Sequence, residues 1–96
     1  MFKYLVEFIG TFVLLSVIMN SAKGAPAEGG WSALPIAMSL ATVIFFGGQV
    51  SGGYFNPAVN TMMMMAEEIS KKDYIMYNIS QVLAAVCAYY FHKVTN

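Results

Sequence analysis

A glycine-rich segment followed by a helix start interrupts an otherwise apolar chain, and it constrains the fold more than any other feature. Residues 51–60 are Ser-Gly-Gly-Tyr-Phe-Asn-Pro-Ala-Val-Asn. Asparagine is a preferred N-cap residue and proline suits the first helical position, so a helix is predicted to begin at Asn56 and Pro57. The apolar run that follows ends near Ala66, before two glutamates. About ten helical residues rise about 15 Å, which is half of the ~30 Å hydrocarbon core of a bilayer.

So short a helix can lie at membrane depth only where its open end is buried in protein or lines a water-filled cavity, because lipid satisfies no free amide. The glycine-rich segment before Asn56 is therefore expected to enter the membrane and to expose its backbone carbonyls to a polar pathway. The positive end of the helix dipole would then lie near the bilayer midplane, which disfavours a cation. These features together favour a neutral solute.

The composition is that of a membrane protein. Of 96 residues, 58% are hydrophobic and 10% are charged, and the formal net charge is zero. The chain has no basic cluster, so nothing favours a nucleic-acid partner. Its single histidine, His92, has no acidic or cysteine companions in the sequence, so no metal site is predicted. We therefore expect an integral, multi-pass membrane protein in contact with the lipid bilayer, with no cofactor and no catalytic cluster.

Three longer apolar segments accompany the short helix and predict an all-α membrane protein. The first segment could also be a signal peptide, but Glu7 interrupts its apolar run and equally apolar segments follow it, which favours a retained helix. The predicted single unit, residues 1–96, consists of helix 1 at about 2–19, a loop at 20–32, helix 2 at about 33–50, a re-entrant loop and half-helix at 51–66, a loop at 67–73, and helix 3 at about 74–91.

The segment Ser-Gly-Gly-Tyr-Phe-Asn-Pro-Ala-Val-Asn resembles the first Asn-Pro-Ala (NPA) signature of the major intrinsic protein family, the aquaporins and glycerol facilitators. Residues 7–12, Glu-Phe-Ile-Gly-Thr-Phe, resemble the first-helix motif of that family, and residues 81–85, Gln-Val-Leu-Ala-Ala, resemble its third-helix motif. The three motifs follow in the family's order and spacing, and they cover the N-terminal half of a family member. The resemblance implies three transmembrane helices plus one re-entrant half-helix, equivalent to one inverted repeat of an aquaporin-like bundle.

The resemblance also implies which residues line a pore and which support it. By alignment from Asn56, Ile36 falls at the narrow selectivity filter, where many members have an aromatic ring or a histidine, and Leu40 lies one turn deeper as an apolar wall. Glu7 and Gln81 are expected to support the re-entrant loop and not to contact the solute. The candidate pore-lining residues are Gly52, Gly53, Tyr54, Asn56, Pro57 and Ala58, and Tyr54 stands where a histidine is common.

What the resemblance implies is passive transport of water or small neutral solutes such as glycerol, without an enzymatic step. The family's pore has six spanning helices and two half-helices, and this chain supplies three and one. A homo-oligomer of inverted copies, or a complementary channel half, is therefore expected. The lysines divide almost evenly between the two predicted sides, Lys3, Lys71 and Lys72 against Lys23 and Lys93, which is compatible with insertion in both orientations.

Two other hypotheses stay open beside the conducting channel half. A nonconducting half could bind or regulate a full-length channel. A secreted or enzymatic protein would need a signal cleavage near Ser21 or Ala22 and a reactive constellation, and the sequence has no cluster suited to catalysis. For the channel hypothesis, Val59 occupies the place that matches the family's filter arginine after its second NPA motif, so an inverted homodimer is expected to reject small solutes poorly.

Overall fold

The structure, a computed structural model, describes residues 2–22 and 33–96, and the regular secondary structure in these residues is entirely helical. This confirms the all-α class for those residues. Lys23 and most of the loop predicted at 20–32 lie outside them. The four helices are α1 (Phe2–Ala22), α2 (Ala33–Ser51), α3 (Pro57–Met65) and α4 (Lys71–Thr95).

The outer helices extend further than the sequence predicted. α1 continues three residues beyond position 19, and α4 begins three residues before position 74 and continues to Thr95. The early start of α4 has a local cause, because the Ser70 side chain caps it by accepting from the Asp73 N–H at 3.0 Å. Asp73 also lies in the first turn, where a negative charge complements the helix dipole. Residues 71–73 are therefore helical, although they were assigned to a loop.

Two of the described helices are long and apolar enough to cross a membrane, over Phe2–Ser21 and Ala33–Ser51. α4 is longer, at 25 residues, but more polar. It carries three charged residues in its first turn and two amide side chains, Asn78 and Gln81, further along. Both amides make hydrogen bonds inside the protein, as described below, so the polar character of α4 lies partly in its packed face.

The helices pack around α1, which contacts both α2 and α4, while α3 packs against α4. α1 and α4 run parallel. Lys3 lies beside Asp73 near the start of each helix, and the rings of Phe12 and Phe91 lie 5.5 Å apart further along. The C-terminal end of α2 reaches the first half of α1, where the Ser51 hydroxyl donates to a buried carboxylate.

A charged contact joins the starts of α1 and α4. The Lys3 ammonium donates to Asp73 Oδ2 at 2.7 Å, and the Tyr4 hydroxyl donates to Asp73 Oδ1 at 2.6 Å. Partial burial alone would raise the pKa of Asp73, but the hydrogen bonds from Lys3 and Tyr4, with the charges of Lys3 and Lys72, outweigh it. The pKa of Asp73 is therefore held below its ordinary value.

The interior is more polar than the surface, which is the reverse of a water-soluble domain. Side chains with less than a tenth of their surface exposed include Glu7, Asn60 and Gln81, whereas Phe45 and Phe46 are 77% and 75% exposed. Polar groups inside and large apolar groups outside fit a protein surrounded by lipid. The fold therefore presents its apolar side chains outward and collects its hydrogen-bonding groups around the segment between α2 and α3.

Candidate functional site

α3 begins where the sequence predicted it, at the Asn56–Pro57 corner. Asn56 has an extended backbone, with φ −158° and ψ 123°, and its side-chain oxygen accepts from the Ala58 N–H at 2.7 Å. Pro57 occupies the first helical position, and the helix has nine residues. The side-chain nitrogen of Asn56 donates to no described residue, and Asn56 is exposed. The cap thus leaves one amide donor free at the start of the helix.

The segment before the corner has an unusual backbone. Gly52 and Gly53 have φ values of +95° and +68°, and Phe55 has φ +50°. A bulky side chain in this region is strained and persists only where the surroundings hold it. Phe55 is 5% exposed, and its ring lies against Gly10 of α1 so closely that a Cβ there would be 2.2 Å from Phe55 Cε1. The absence of a side chain at Gly10 therefore makes room for the Phe55 ring.

The Glu7 carboxylate holds this segment from the inside. It is fully buried and accepts from the backbone N–H groups of Tyr54 and Phe55 at 3.1 and 2.8 Å. It also accepts from the Ser51 hydroxyl at 2.7 Å and from the Gln81 side-chain nitrogen at 2.8 Å. All four neighbours donate, and no cation contacts this carboxylate in the part of the chain that the structure describes. Four donors suit the acceptor capacity of an ionised carboxylate.

Gln81 extends the network from the segment to α3 and α4. Its side-chain oxygen accepts from Asn60 of α3 at 2.8 Å, and the same Asn60 nitrogen donates to Asn78 Oδ1 at 2.8 Å. The Tyr77 hydroxyl donates to the carbonyl of Ser51 at 2.7 Å. α4 therefore fixes both ends of the 51–56 segment, the first through Tyr77 and the second through the hydrogen bonds to α3.

The middle carbonyl groups of the segment lack, among the described residues, the hydrogen-bond partners that its N–H groups have. The carbonyl oxygens of Gly52, Gly53 and Tyr54 accept no hydrogen bond from any described residue. Gly52 is exposed, and Gly53 and Tyr54 are partly exposed. The segment thus directs N–H groups to the buried Glu7 carboxylate and leaves a row of acceptors beside the free Asn56 amide. Such a row can exchange hydrogen bonds with a small polar molecule.

The remaining candidate residues fall into two groups. Pro57 and Ala58 are exposed beside Asn56. Ile36 is partly exposed and Leu40 is 37% exposed, both on α2. Ile44, one turn after Leu40, lies beside the segment, since its Cγ1 would be 3.5 Å from a Cβ on Gly53. Within residues 2–22 and 33–96, no group of three His, Cys, Asp or Glu side chains is placed to hold a metal ion.

The sequence prediction missed four residues that complete the network. Two signals could have identified three of them. Asn60 lies one turn after Asn56 on α3, and two others lie three and four residues before Gln81 on α4, so that they share its face. The missed residues are Ser51, Asn60, Tyr77 and Asn78.

An open groove of about 370 Å³ lies between α1 and α4 and reaches the Asn56–Pro57 corner. Asn56 and Pro57 form one end of it, and apolar residues such as Leu14 and Val82 form its walls. The Thr11 hydroxyl in this groove is buried and has no hydrogen-bond partner among the described residues. The Asn56 corner therefore borders two surfaces, the row of free carbonyls and this mainly apolar groove.

Comparison with known proteins gives one consistent result. The sequence model of the major intrinsic protein family matches residues 1–96. The chain is 43% identical over 89 residues to glycerol uptake facilitator protein-like 6 of Lactiplantibacillus plantarum and 38% identical over 92 residues to aquaporin Z of Brucella melitensis. Each alignment covers 90% of this chain and 40% of the relative, so the chain spans less than half the length of these curated relatives. No solved structure gives a significant match.

Proposed function

We propose, because this chain belongs to the major intrinsic protein family, that it forms half of a channel for the passive transport of water or small neutral solutes such as glycerol. The family consists of integral membrane channels and not of enzymes. Relatives of this chain are named as aquaporins and as a glycerol uptake facilitator, and these names supply the two solute classes.

One observation carries the proposal, which is the division of the backbone groups between Ser51 and Asn56. The N–H groups of Tyr54 and Phe55 are bound by Glu7, while the three carbonyls before Phe55 are unpaired. A segment with all of its polar groups satisfied internally would offer nothing to a solute. A segment with unsatisfied N–H groups facing lipid would be costly. The observed division avoids the second problem and leaves acceptors for a pathway.

In the proposed mechanism, solute molecules pass one at a time along these acceptors. Each water molecule accepts from the free Asn56 amide and donates to the carbonyls of Gly52, Gly53 and Tyr54 in turn. The N-terminal end of α3 contributes a positive potential at Asn56, which disfavours protons and cations there. Pro57 and Ala58 complete the wall of the pathway, and Ile36 and Leu40 contribute its filter and apolar side. No step breaks or forms a covalent bond.

In the proposed membrane arrangement α1, α2 and α4 cross the bilayer, and the 51–66 segment enters and leaves it on one side. α4 can cross despite its amide groups because Asn78 and Gln81 are bound to Asn60 and not to lipid. Glu7 and Gln81 then support the segment, and they do not contact the solute.

The pore requires a second set of helices. We propose that inverted copies of this chain associate, or that a complementary channel half supplies them, because inverted repeats place matching half-helices across the midplane. The chain spans 40% of the length of each of the two relatives named above. The open groove beside Asn56 is a surface that such a partner would cover.

The test is osmotic shrinkage of liposomes that contain only this chain, followed by stopped-flow light scattering, with glycerol uptake measured in parallel. Water flux well above that of empty liposomes is expected. Glycerol is expected to pass as well, because Val59 stands where the family's filter arginine would be in an inverted homodimer. Phe45→Leu, at a 77% exposed position, is a matched control that should conduct like the wild type. Glycerol and proton rejection as strict as that of a full-length water channel would contradict the prediction about selectivity.

A second candidate function is a nonconducting half that binds or regulates a full-length channel. The observation that favours it is the open groove at Asn56, which is a surface that another channel chain could cover. This role is supported by the absence of flux from inserted, helical protein together with co-purification with a full-length channel. Flux from the chain alone would exclude the nonconducting role.

A further inference from the structure

The Tyr54 side chain lies over backbone that the proposed pathway uses. A Cβ built on Gly52 would be 2.7 Å from Tyr54 Cε1 and 3.1 Å from Tyr54 Cζ, so the ring edge contacts Gly52. The carbonyl of Gly52 is one of the three free acceptors in the segment. The backbone N–H of Tyr54 is itself bound to Glu7 at 3.1 Å, which fixes the origin of the side chain. The ring therefore lies against the residue that carries one of these acceptors.

A second ring fixes the orientation of the first. Tyr77 is 2% exposed and lies edge-on to Tyr54, with ring centroids 5.7 Å apart and an interplanar angle of 67°. Tyr77 cannot turn freely, since its hydroxyl donates to the carbonyl of Ser51 at 2.7 Å and its ring also packs against Tyr4 at 5.9 Å. Edge-to-face aromatic pairs of this kind are favourable beyond the area they bury. Tyr54 thus rests on a rigid support.

The hydroxyl of Tyr54 is left for other partners. It makes no hydrogen bond to any described residue, and it is not among the buried unpaired atoms, so it is open to its surroundings. The side chain as a whole is partly exposed. A fixed ring with an open hydroxyl combines a steric edge with one donor and one acceptor.

We infer that Tyr54 is a selectivity-determining residue at one mouth of the pathway, through its side chain and not only through its backbone carbonyl. The ring narrows the passage beside Gly52, and the hydroxyl exchanges a hydrogen bond with water or another small hydroxylated solute. The inference rests on the proposed function and adds a residue role to it. A phenol remains neutral across the physiological pH range, with an ordinary pKa of about 10, so this mouth carries no titrating side chain from position 54.

The test replaces the phenol with a group that titrates. In Tyr54→His, an imidazole with an ordinary pKa of about 6.5 changes from mainly neutral at about pH 8 to mainly charged at about pH 5.5. A charge at the mouth holds water tightly and narrows the passage, so water flux through this variant should fall at least about twofold over that range. The charged groups near position 54 are Glu7 of α1 and Glu68 after α3, and the neighbouring phenol on α4 is Tyr77.

The wild type and the control variant Phe45→His provide the comparison. Phe45 is 77% exposed on α2, and its only ring contact in the described residues is with Phe46, so a histidine there is expected to face lipid and to leave the flux independent of pH. A flat pH profile for Tyr54→His, from protein that is inserted and conducts at pH 8, would overturn the inference. A merely structural role for Tyr54 would change the flux equally at both pH values, which also counts against it.

A labelling experiment separates this inference from the proposed function. If the wild type conducts no water, the proposed function of the isolated chain fails, and Tyr54→Cys in a Cys87→Ala background still reports the position of the side chain. Reaction of that cysteine with a membrane-impermeant maleimide in opened vesicles would support an aqueous mouth at position 54. Protection equal to that of Phe45→Cys, which faces lipid, would overturn it.

Discussion

The substitution Glu7→Gln tests the central support of the site with the smallest change in shape. Oε1 of the carboxylate accepts from Phe55 and Gln81, and Oε2 accepts from Ser51 and Tyr54. A glutamine keeps one acceptor oxygen and puts an NH₂ donor in place of the other. The less damaging orientation places the NH₂ beside Ser51, because a hydroxyl can rotate to accept. The N–H of Tyr54 then faces a donor and has no acceptor.

The magnitude follows from these contacts. One buried N–H without an acceptor costs about 1–3 kcal/mol. The remaining hydrogen bonds become neutral, and bonds to an ionised group are roughly twice as strong as neutral ones. Removal of a buried charge offsets part of this loss. We expect Glu7→Gln to lower the free energy of unfolding by about 2–4 kcal/mol, since the unpaired N–H and the weakened hydrogen bonds together outweigh this offset.

Unfolding in mixed micelles of increasing SDS fraction, followed by circular dichroism, measures this free energy. Glu68→Gln is the matched control, because it makes the same chemical change at an exposed position and should alter stability by less than about 0.5 kcal/mol. A Glu7→Gln variant as stable as this control would show that the carboxylate does not hold the segment. Loss of water flux in Glu7→Gln without loss of stability would place Glu7 in the pathway and refute its supporting role.

Three further predictions concern other contacts. Gly10→Ala should destabilise the fold by about 1–3 kcal/mol in the same assay, because its Cβ would meet the Phe55 ring at 2.2 Å, whereas Gly48→Ala, with 3.7 Å of clearance, should not. Asp73 has a lowered pKa, so its ion pair contributes fully to stability above the ordinary carboxylate pKa of about 4. This contribution is lost as the pH falls through the pKa of Asp73 in the folded protein. Acid unfolding of Asp73→Asn should therefore lack that pH-dependent loss of stability. Asn56→Asp, which keeps a cap but adds a charge, should disturb folding or alter ion exclusion, and unchanged assembly with unchanged ion leakage would remove Asn56 from its role.

Local chemistry explains why some of the fold could be predicted and some could not. The start of α3 follows from two adjacent residues, Asn56 and Pro57, whose preferences act within one helical turn. The start of α4 lies inside the loop predicted at 67–73, because Ser70 followed three residues later by Asp73 is a capping pattern and not only a polar linker.

The hydrogen-bond network, unlike the helix starts, does not follow from local chemistry. Glu7 binds groups that are 44 to 74 positions away, and such contacts leave no periodic trace in the sequence. The supporting roles of Glu7 and Gln81 were predicted through the family resemblance, which concerns motifs and not contacts. Tyr77, whose hydroxyl binds the segment from α4, belongs to none of the quoted motifs, and its role depends on how the helices pack.

The distances in sequence between Glu7 and its partners bear on how the protein is made. Glu7 leaves the ribosome 44 residues before Ser51 and 74 residues before Gln81. Until Ser51 emerges, α1 carries an acidic side chain with none of its four final donors, which is unfavourable inside a bilayer. Ser51, Tyr54 and Phe55 then supply three of these donors, and Gln81 of α4 supplies the fourth. We therefore expect the nascent α1 to remain near the translocon or the membrane interface until the segment from Ser51 to Phe55 is synthesised, and α4 to complete the site afterwards.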